Sequence, residues 1–282
     1  GVFDAAHAFE LLLDSAAQGQ ADIKMKPNVL LILADDLGYG DLACLGNPIT
    51  KTPHLDELHG RSARLTNFHV DPTCSPTRSS LLTGRYSSRA GVWHTIMGRS
   101  ILPRDEVTMA ETFSRNGYRT GIFGKWHLGD NYPYRATDRG FHESVVMGGG
   151  AIGNTPDYWN NDYFDDTYNH NGQREKFSGY TTDVFFGEAM KWIKGCRQRN
   201  ERFLAYLAIN APHGPFFVPD KYRRPYAGLD HDTASFLGMI ANIDENMGKL
   251  DAMLDQTGLR DNTILIFMTD NGTATGEPVA NL

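Results

Sequence analysis

The sequence predicts an α/β fold, a mostly parallel central sheet with helices on both faces. Three observations carry this reading. Nearly continuous apolar runs stand at residues 29–34, 203–210 and 263–269, and strands covered on both faces read this way. An amphipathic helix at 181–199 and a helical stretch at 233–258 alternate with those runs, which implies parallel strands with helices packed over them. Acidic and Gly-containing clusters follow the runs directly, at Asp35-Asp36 and Asp270-Asn271-Gly272. Open α/β sheets bind ligands at that edge.

Residues 1–27 read as a weakly helical lead-in. The first strand begins at Asn28 and stops at Asp35-Asp36, before Gly38 and Gly40. Pro53 opens a short helix with Thr52 at its cap position. Residues 65–70 suit a short strand. Residues 75–84 read as a helix, with Pro76 in its first turn and Gly84 as its stop. A helix at 107–117 leads into a strand at 119–124. From 127 to 179 the chain is rich in Gly, Asn, Asp and Tyr and reads as long surface loops, which in compact domains are usually functional.

Composition bounds the function. The 282 residues are 40% hydrophobic and 22% charged, ordinary for a globular protein with a buried core. The formal net charge of −7 leaves no general basic footprint for nucleic acid or an anionic membrane, although local cations can still bind an anionic substrate. No run approaches the ~20 apolar residues of a membrane-spanning helix. Three cysteines, Cys44, Cys74 and Cys196, have no paired spacing, which argues against a disulfide framework and against thiolate zinc. Residues 8–13 are apolar but include Glu10 and lack a basic lead-in, so they are no secretory signal as they stand. The protein is expected to be periplasmic or secreted if a signal lies upstream of Gly1.

Five clusters carry chemistry, and strand ends along one sheet edge bring them together. Asp35 and Asp36 with Asp270 and Asn271 form an all-oxygen set that selects Ca²⁺ or Mg²⁺ over softer metals. Read separately, each pair is an ordinary turn, and Asn271-Gly272-Thr273 also matches a glycosylation sequon. Lys125 and His127 are two apart, so in an extended segment they face one side and suit binding of an anion and proton transfer to it. His213 alone reads as a loop histidine beside prolines. Cys74, near a helix start with Arg78 one turn on, is either a low-pKa thiol or a small buried hydrophobe.

The string Cys74-Ser75-Pro76-Thr77-Arg78-Ser79-Ser80-Leu81-Leu82-Thr83-Gly84-Arg85 resembles the C-x-P-x-R…T-G-R signature of type I sulfatases, in the alkaline-phosphatase-like superfamily. Thr77 stands where serine is frequent, a minor departure between small hydroxyl residues. The segments 35–41, Gly124-Lys125-Trp126-His127-Leu128-Gly129, Ala211-Pro212-His213 and Thr269-Asp270-Asn271-Gly272 are similar to further family motifs, in the family's order. The resemblance covers residues 28–282.

It implies an alkaline-phosphatase-like fold and hydrolysis of sulfate monoesters. A maturation enzyme would oxidise Cys74 to formylglycine (3-oxoalanine), whose hydrate attacks sulfur. Asp35, Asp36, Asp270, Asn271 and the modified Cys74 would bind Ca²⁺, with Mg²⁺ as second choice. Arg78 and Lys125 would hold the diol and the sulfate, His213 would serve the leaving oxygen, and His127 would take the proton that frees the sulfate. The substrate is expected to be a sulfated saccharide rather than an aryl sulfate, on the aromatics Tyr132, Tyr134, Tyr158, Trp159, Tyr163 and Phe164. The alternatives are a phosphate or phosphonate monoester hydrolase on the same scaffold, a non-catalytic sulfate- or glycan-binding fragment, and a cysteine hydrolase. The resemblance also implies that 28–282 is an N-terminal catalytic domain, C-terminally truncated, lacking a second active-site lysine and part of its sheet cover.

Overall fold

The structure is a computed structural model and describes residues 26–273. The lead-in expected at 1–27 lies almost wholly outside the described residues. Seven strands form one sheet: β1 (Asn28–Asp35), β2 (Arg119–Lys125), β3 (Glu143–Met147), β4 (Thr167–His170), β5 (Gln173–Lys176), β6 (Phe203–Pro212) and β7 (Thr263–Thr269). Their order is β5-β4-β3-β2-β6-β1-β7. β1 runs parallel to β6 and β7, and β2 parallel to β3 and β6. Among the described strands, the β3–β4 and β4–β5 pairs are the antiparallel ones. The mostly parallel sheet is as expected.

Helices cover both faces: α1 (Pro53–Gly60), α2 (Cys74–Thr83), α3 (Met109–Arg115), α4 (Thr181–Gln198), α5 (Asp220–Arg223) and α6 (His231–Gln256). β6 shows why a continuous apolar run suits the sheet's middle. Side chains alternate faces along a strand, and every residue of β6 is buried. Phe203, Ala205, Leu207, Ile209 and Ala211 join one core, with Phe185, Phe186 and Ile193 of α4 and Ile240 and Ile243 of α6. Tyr206 and Ala208 join the other, with Leu82 of α2 and Ala110 of α3. Full burial of one such Phe or Ile contributes about 1.5–3 kcal/mol.

Local signals set the helix ends. At α3, Thr108 Oγ1 accepts from the Glu111 amide at 3.1 Å while the Glu111 carboxylate accepts from the Thr108 amide at 2.7 Å, a reciprocal cap. At the end of α2, Gly84 takes φ 66° and donates to the Ser80 carbonyl at 2.8 Å, the left-handed stop that glycine allows.

Three expectations need correction. Residues 65–70 form no strand; Leu65 is exposed and no partner strand lies there. The 127–179 segment is not all loop, since it supplies β3, β4 and β5. And β7 is half-buried along its whole length rather than buried, because among the described residues it pairs with β1 alone.

Candidate active site

The C-terminal ends of β1, β2, β6 and β7 meet at one place. β1 ends in Asp35, and Asp36 turns the chain at φ 61°, a left-handed conformation that aspartate tolerates better than most side chains. Past β7, Asp270 accepts from the Asp36 amide at 3.1 Å, and the Asn271 side-chain amide donates to Asp36 Oδ1 at 2.7 Å. Asp35, Asp36 and Asp270 each offer an oxygen within 4.8 Å of the others, and all three are buried.

Two cations answer them. Lys125 Nζ lies 2.6 Å from Asp35 Oδ2. Arg78 donates to the Lys125 carbonyl at 2.9 Å and to Asp270 Oδ2 at 3.2 Å, and lies 3.5 Å from Asp35 Oδ1. Gly124 lets β2 close on β6 just before Lys125: a Cβ there would stand 2.1 Å from the Ala208 carbonyl oxygen. Burial works against ionising Asp35, but Lys125 and then Arg78 outweigh it and hold the carboxyl below its usual range. Asp270 goes the other way, pushed well above the carboxylate range by burial and by Asp35. Three carboxyl groups face two cations, so one of them has no cation to offset its charge, and it is Asp270 that burial and Asp35 push toward holding its proton.

Cys74 opens α2 and is buried. Its Sγ lies 3.4 Å from His127 Nδ1, and His127 Nε2 lies 2.9 Å from the Thr95 carbonyl. A carbonyl only accepts, so Nε2 carries the hydrogen and Nδ1 presents its lone pair to residue 74. Burial, then Lys125, depress the imidazole to about 3, and burial raises the Cys74 thiol. Lys125 and His127 both reach the site as expected, but not along an extended segment: His127 sits at φ 56°, which swings its ring to Cys74.

His213 follows β6 directly and stands at the mouth, its side chain 28% exposed. Its Nδ1 faces the Gly214 carbonyl at 2.6 Å, so Nδ1 is the donor and Nε2 points inward, 3.5 Å from Asp36 Oδ2. The structure thus gathers every residue read from the sequence: Asp35, Asp36, Cys74, Arg78, Lys125, His127, His213, Asp270 and Asn271.

The site fits a hard divalent cation. Asp35 Oδ1 and Asn271 Oδ1 are buried without a hydrogen-bond partner, although buried acceptors are normally satisfied. Both belong to the oxygen set that Asp36 and Asp270 complete, and a cation among them would use the orphaned lone pairs and the unmatched charge. Asn271 is tied into this set through Asp36, so its sequon match is beside the point structurally.

The sulfatase family model matches residues 27–281. The chain belongs to the sulfatase family. It is 32% identical to an arylsulfatase of Klebsiella aerogenes, over 88% of this chain and 66% of that protein. It is 30% identical to the N-acetylgalactosamine-6-sulfatase of Canis lupus familiaris, over 94% of this chain and 53% of that protein. A crystal structure of Ps i-CgsB in complex with k-i-k-neocarrahexaose matches with a TM-score of 0.81 and 29% identity, over 90% of this chain and 60% of that one. This sulfatase chain therefore spans about half to two thirds of the relatives it matches. The alkaline-phosphatase-like fold is shared more widely: a phosphonate monoester hydrolase of Agrobacterium radiobacter matches with a TM-score of 0.63 at 21% identity.

Three supporting residues of this sulfatase site escaped the sequence reading. Ser75 Oγ donates to the His127 carbonyl at 2.9 Å; it lay inside the signature string with no role assigned. Thr95 acts through its carbonyl, which no side-chain pattern can announce. Tyr163 was read as a loop aromatic available to a sugar. It is 1% exposed, and its hydroxyl donates to the His213 carbonyl at 3.0 Å, so it supports the site from beneath. Of those aromatics Trp159 and Tyr132 are the most open, at 93% and 70% exposed.

Proposed function

We propose that the protein hydrolyses sulfate monoesters of saccharides, using a nucleophile made from Cys74 by a formylglycine-generating maturation enzyme. The observation that carries this is the approach of His127 Nδ1 to Cys74 Sγ at 3.4 Å, beside Lys125, Arg78 and the three-carboxylate cluster. Oxidation of Cys74 to the aldehyde supplies a carbon that, hydrated, bears two hydroxyls. Asp35, Asp36, Asp270, Asn271 and residue 74 would hold Ca²⁺, with Mg²⁺ as second choice, which would supply positive charge against the sulfate oxygens.

The chain's own groups do the rest. Lys125 and Arg78 are buried donors fixed before the substrate arrives, so they offset developing charge without reorganising, usually the largest catalytic contribution. His127 is neutral, and its Nδ1 is the base aimed at position 74; there it removes a hydroxyl proton as the sulfate departs. His213 stands at the open mouth with Nε2 facing the site, and it protonates the leaving oxygen from that nitrogen when the ring carries a hydrogen on both nitrogens. A cysteine hydrolase fits less well, because a raised thiol beside a depressed imidazole is the reverse of a thiolate–imidazolium pair.

Support for a saccharide comes from the exposed rings of Trp159 and Tyr132, from a relative named as an N-acetylgalactosamine-6-sulfatase and from a similar structure in complex with a neocarrahexaose. The test is turnover by the matured protein of 4-nitrophenyl sulfate, sulfated saccharides and matched phosphate esters. Sulfate esters should be preferred, an aldehyde at position 74 should appear by mass and hydrazide labelling, and Cys74→Ala should abolish turnover. Wild-type rates in that variant would refute the mechanism, and a preference for phosphate esters would refute the substrate class.

A further inference from the structure

Residues 93–99 form a turn that stands against the site. The Trp93 amide donates to the Arg99 carbonyl at 3.2 Å, and the Thr95 carbonyl between them holds His127 Nε2 at 2.9 Å. Trp93 is nonetheless 59% exposed. The Arg99 guanidinium lies over its ring, with Cζ 4.7 Å from the centroid, and the His94 ring meets its edge at 6.3 Å and 84°. Arg99 pairs with no carboxylate among the described residues. His94 Nδ1 accepts from the Thr95 amide at 2.8 Å, so the hydrogen of the neutral ring is on Nε2, which has no partner among the described residues. An indole face, a free cation and a free N–H therefore sit together two residues from the carbonyl that orients the base.

We propose that this turn is a second anion subsite: Trp93 stacks on a sugar ring, while Arg99 and His94 Nε2 bind a further sulfate ester of the same saccharide. The inference rests on the sulfatase reading above and deepens it to a multiply sulfated substrate. Charge complementarity argues for sulfate. Arginine donors in a fixed fork match a tetrahedral oxyanion, and Arg99 is held over the Trp93 ring with no carboxylate partner among the described residues. The position argues for the same molecule, because Thr95 of this turn holds the imidazole whose other nitrogen faces Cys74.

The experiment uses the Cys74→Ala protein, which binds without turnover, and calorimetry with matched neocarratetraoses carrying one or two sulfates per disaccharide. The two-sulfate ligand should bind about tenfold more tightly, the scale of one charge-assisted contact. Arg99→Ala should bring the ratio to about one, Arg99→Lys should restore part of it, and Trp93→Ala should weaken both ligands. An unchanged ratio in Arg99→Ala, or no binding of either ligand, overturns the proposal. Equal affinity for a chondroitin 6-sulfate tetrasaccharide, whose further anions are carboxylates, overturns the choice of sulfate. Turnover of 4-nitrophenyl sulfate by the matured wild type separates the two readings: without turnover of any sulfate ester the sulfatase reading falls, whereas turnover with an unaltered ratio removes only the subsite.

Discussion

The Lys125 ammonium, at the end of β2, reaches past β6 to Asp35 at the end of β1 and closes to 2.6 Å. Both side chains are fully buried, so this pair ties three strands together at the floor of the site. Removing one member of a buried pair leaves the other charged and unpaired, typically at a cost of about 3–5 kcal/mol. Lys125→Met should lower stability by about that amount in urea unfolding. Turnover should fall further than instability explains, since a fixed donor to the sulfate is lost. A variant as stable as the wild type would show that Arg78 alone satisfies Asp35.

Metal binding should be visible without any assay of activity. Chelator-treated protein should melt lower, and Ca²⁺ should restore the midpoint. At one hundred times its dissociation constant, a ligand specific for the native state adds about 2.7 kcal/mol. Asp36→Asn should weaken the calorimetric Ca²⁺ titration, because a charged oxygen is replaced while the turn is kept. No calcium effect on melting in the wild type would contradict the oxygen-set assignment.

Tyr163 is a positioning residue for His213. Its hydroxyl fixes the His213 carbonyl, and one such hydrogen bond is worth about 1 kcal/mol. Tyr163→Phe should therefore cut turnover by roughly tenfold at most. The loss should be greatest for esters with poor leaving groups, whose oxygen needs protonation, and small for 4-nitrophenyl sulfate. An equal loss for both would assign Tyr163 a structural role only.

Much of this arrangement was legible in the sequence, for identifiable reasons. β1, β6 and β7 announce themselves because both faces of each strand bear largely apolar side chains, β2 through the short Gly121-Ile122-Phe123-Gly124 stretch, and the acidic and cationic residues stand at the ends of those runs. Less legible was what depends on backbone direction or on distant partners. β3 is only Glu143–Met147, too short for its apolar core to stand out. β5 reads Gln-Arg-Glu-Lys and is wholly exposed, so no hydrophobic alternation marks it. One usable signal was passed over: Asn171-Gly172, with φ 50° and 89°, joins β4 to β5 as a two-residue turn, the strongest short hairpin signature. Half-burial of β7 could not be read, because strand order is not written in any local pattern.

The edge hairpin carries a pH-sensitive clasp. His170 on β4 faces Glu143 on β3 at 2.7 Å through Nε2 and Glu175 on β5 at 2.5 Å through Nδ1. Both ring nitrogens meet carboxylates, so the arrangement favours the imidazolium. Burial opposes this, but the bonds to Glu175 and Glu143 prevail and raise His170 above its ordinary 6.5. The folded state therefore holds this proton more tightly than the unfolded chain. Its stabilising contribution is complete below the unfolded value, down to where the glutamates protonate, and is lost as pH rises through the folded value. His170→Gln should accordingly cost more stability at about pH 6 than at about pH 8.5. Comparing urea midpoints of the two proteins at both values cancels the titrations they share. A stability difference that is the same at both values, or larger at the alkaline one, would show that His170 is not held as the cation between Glu143 and Glu175.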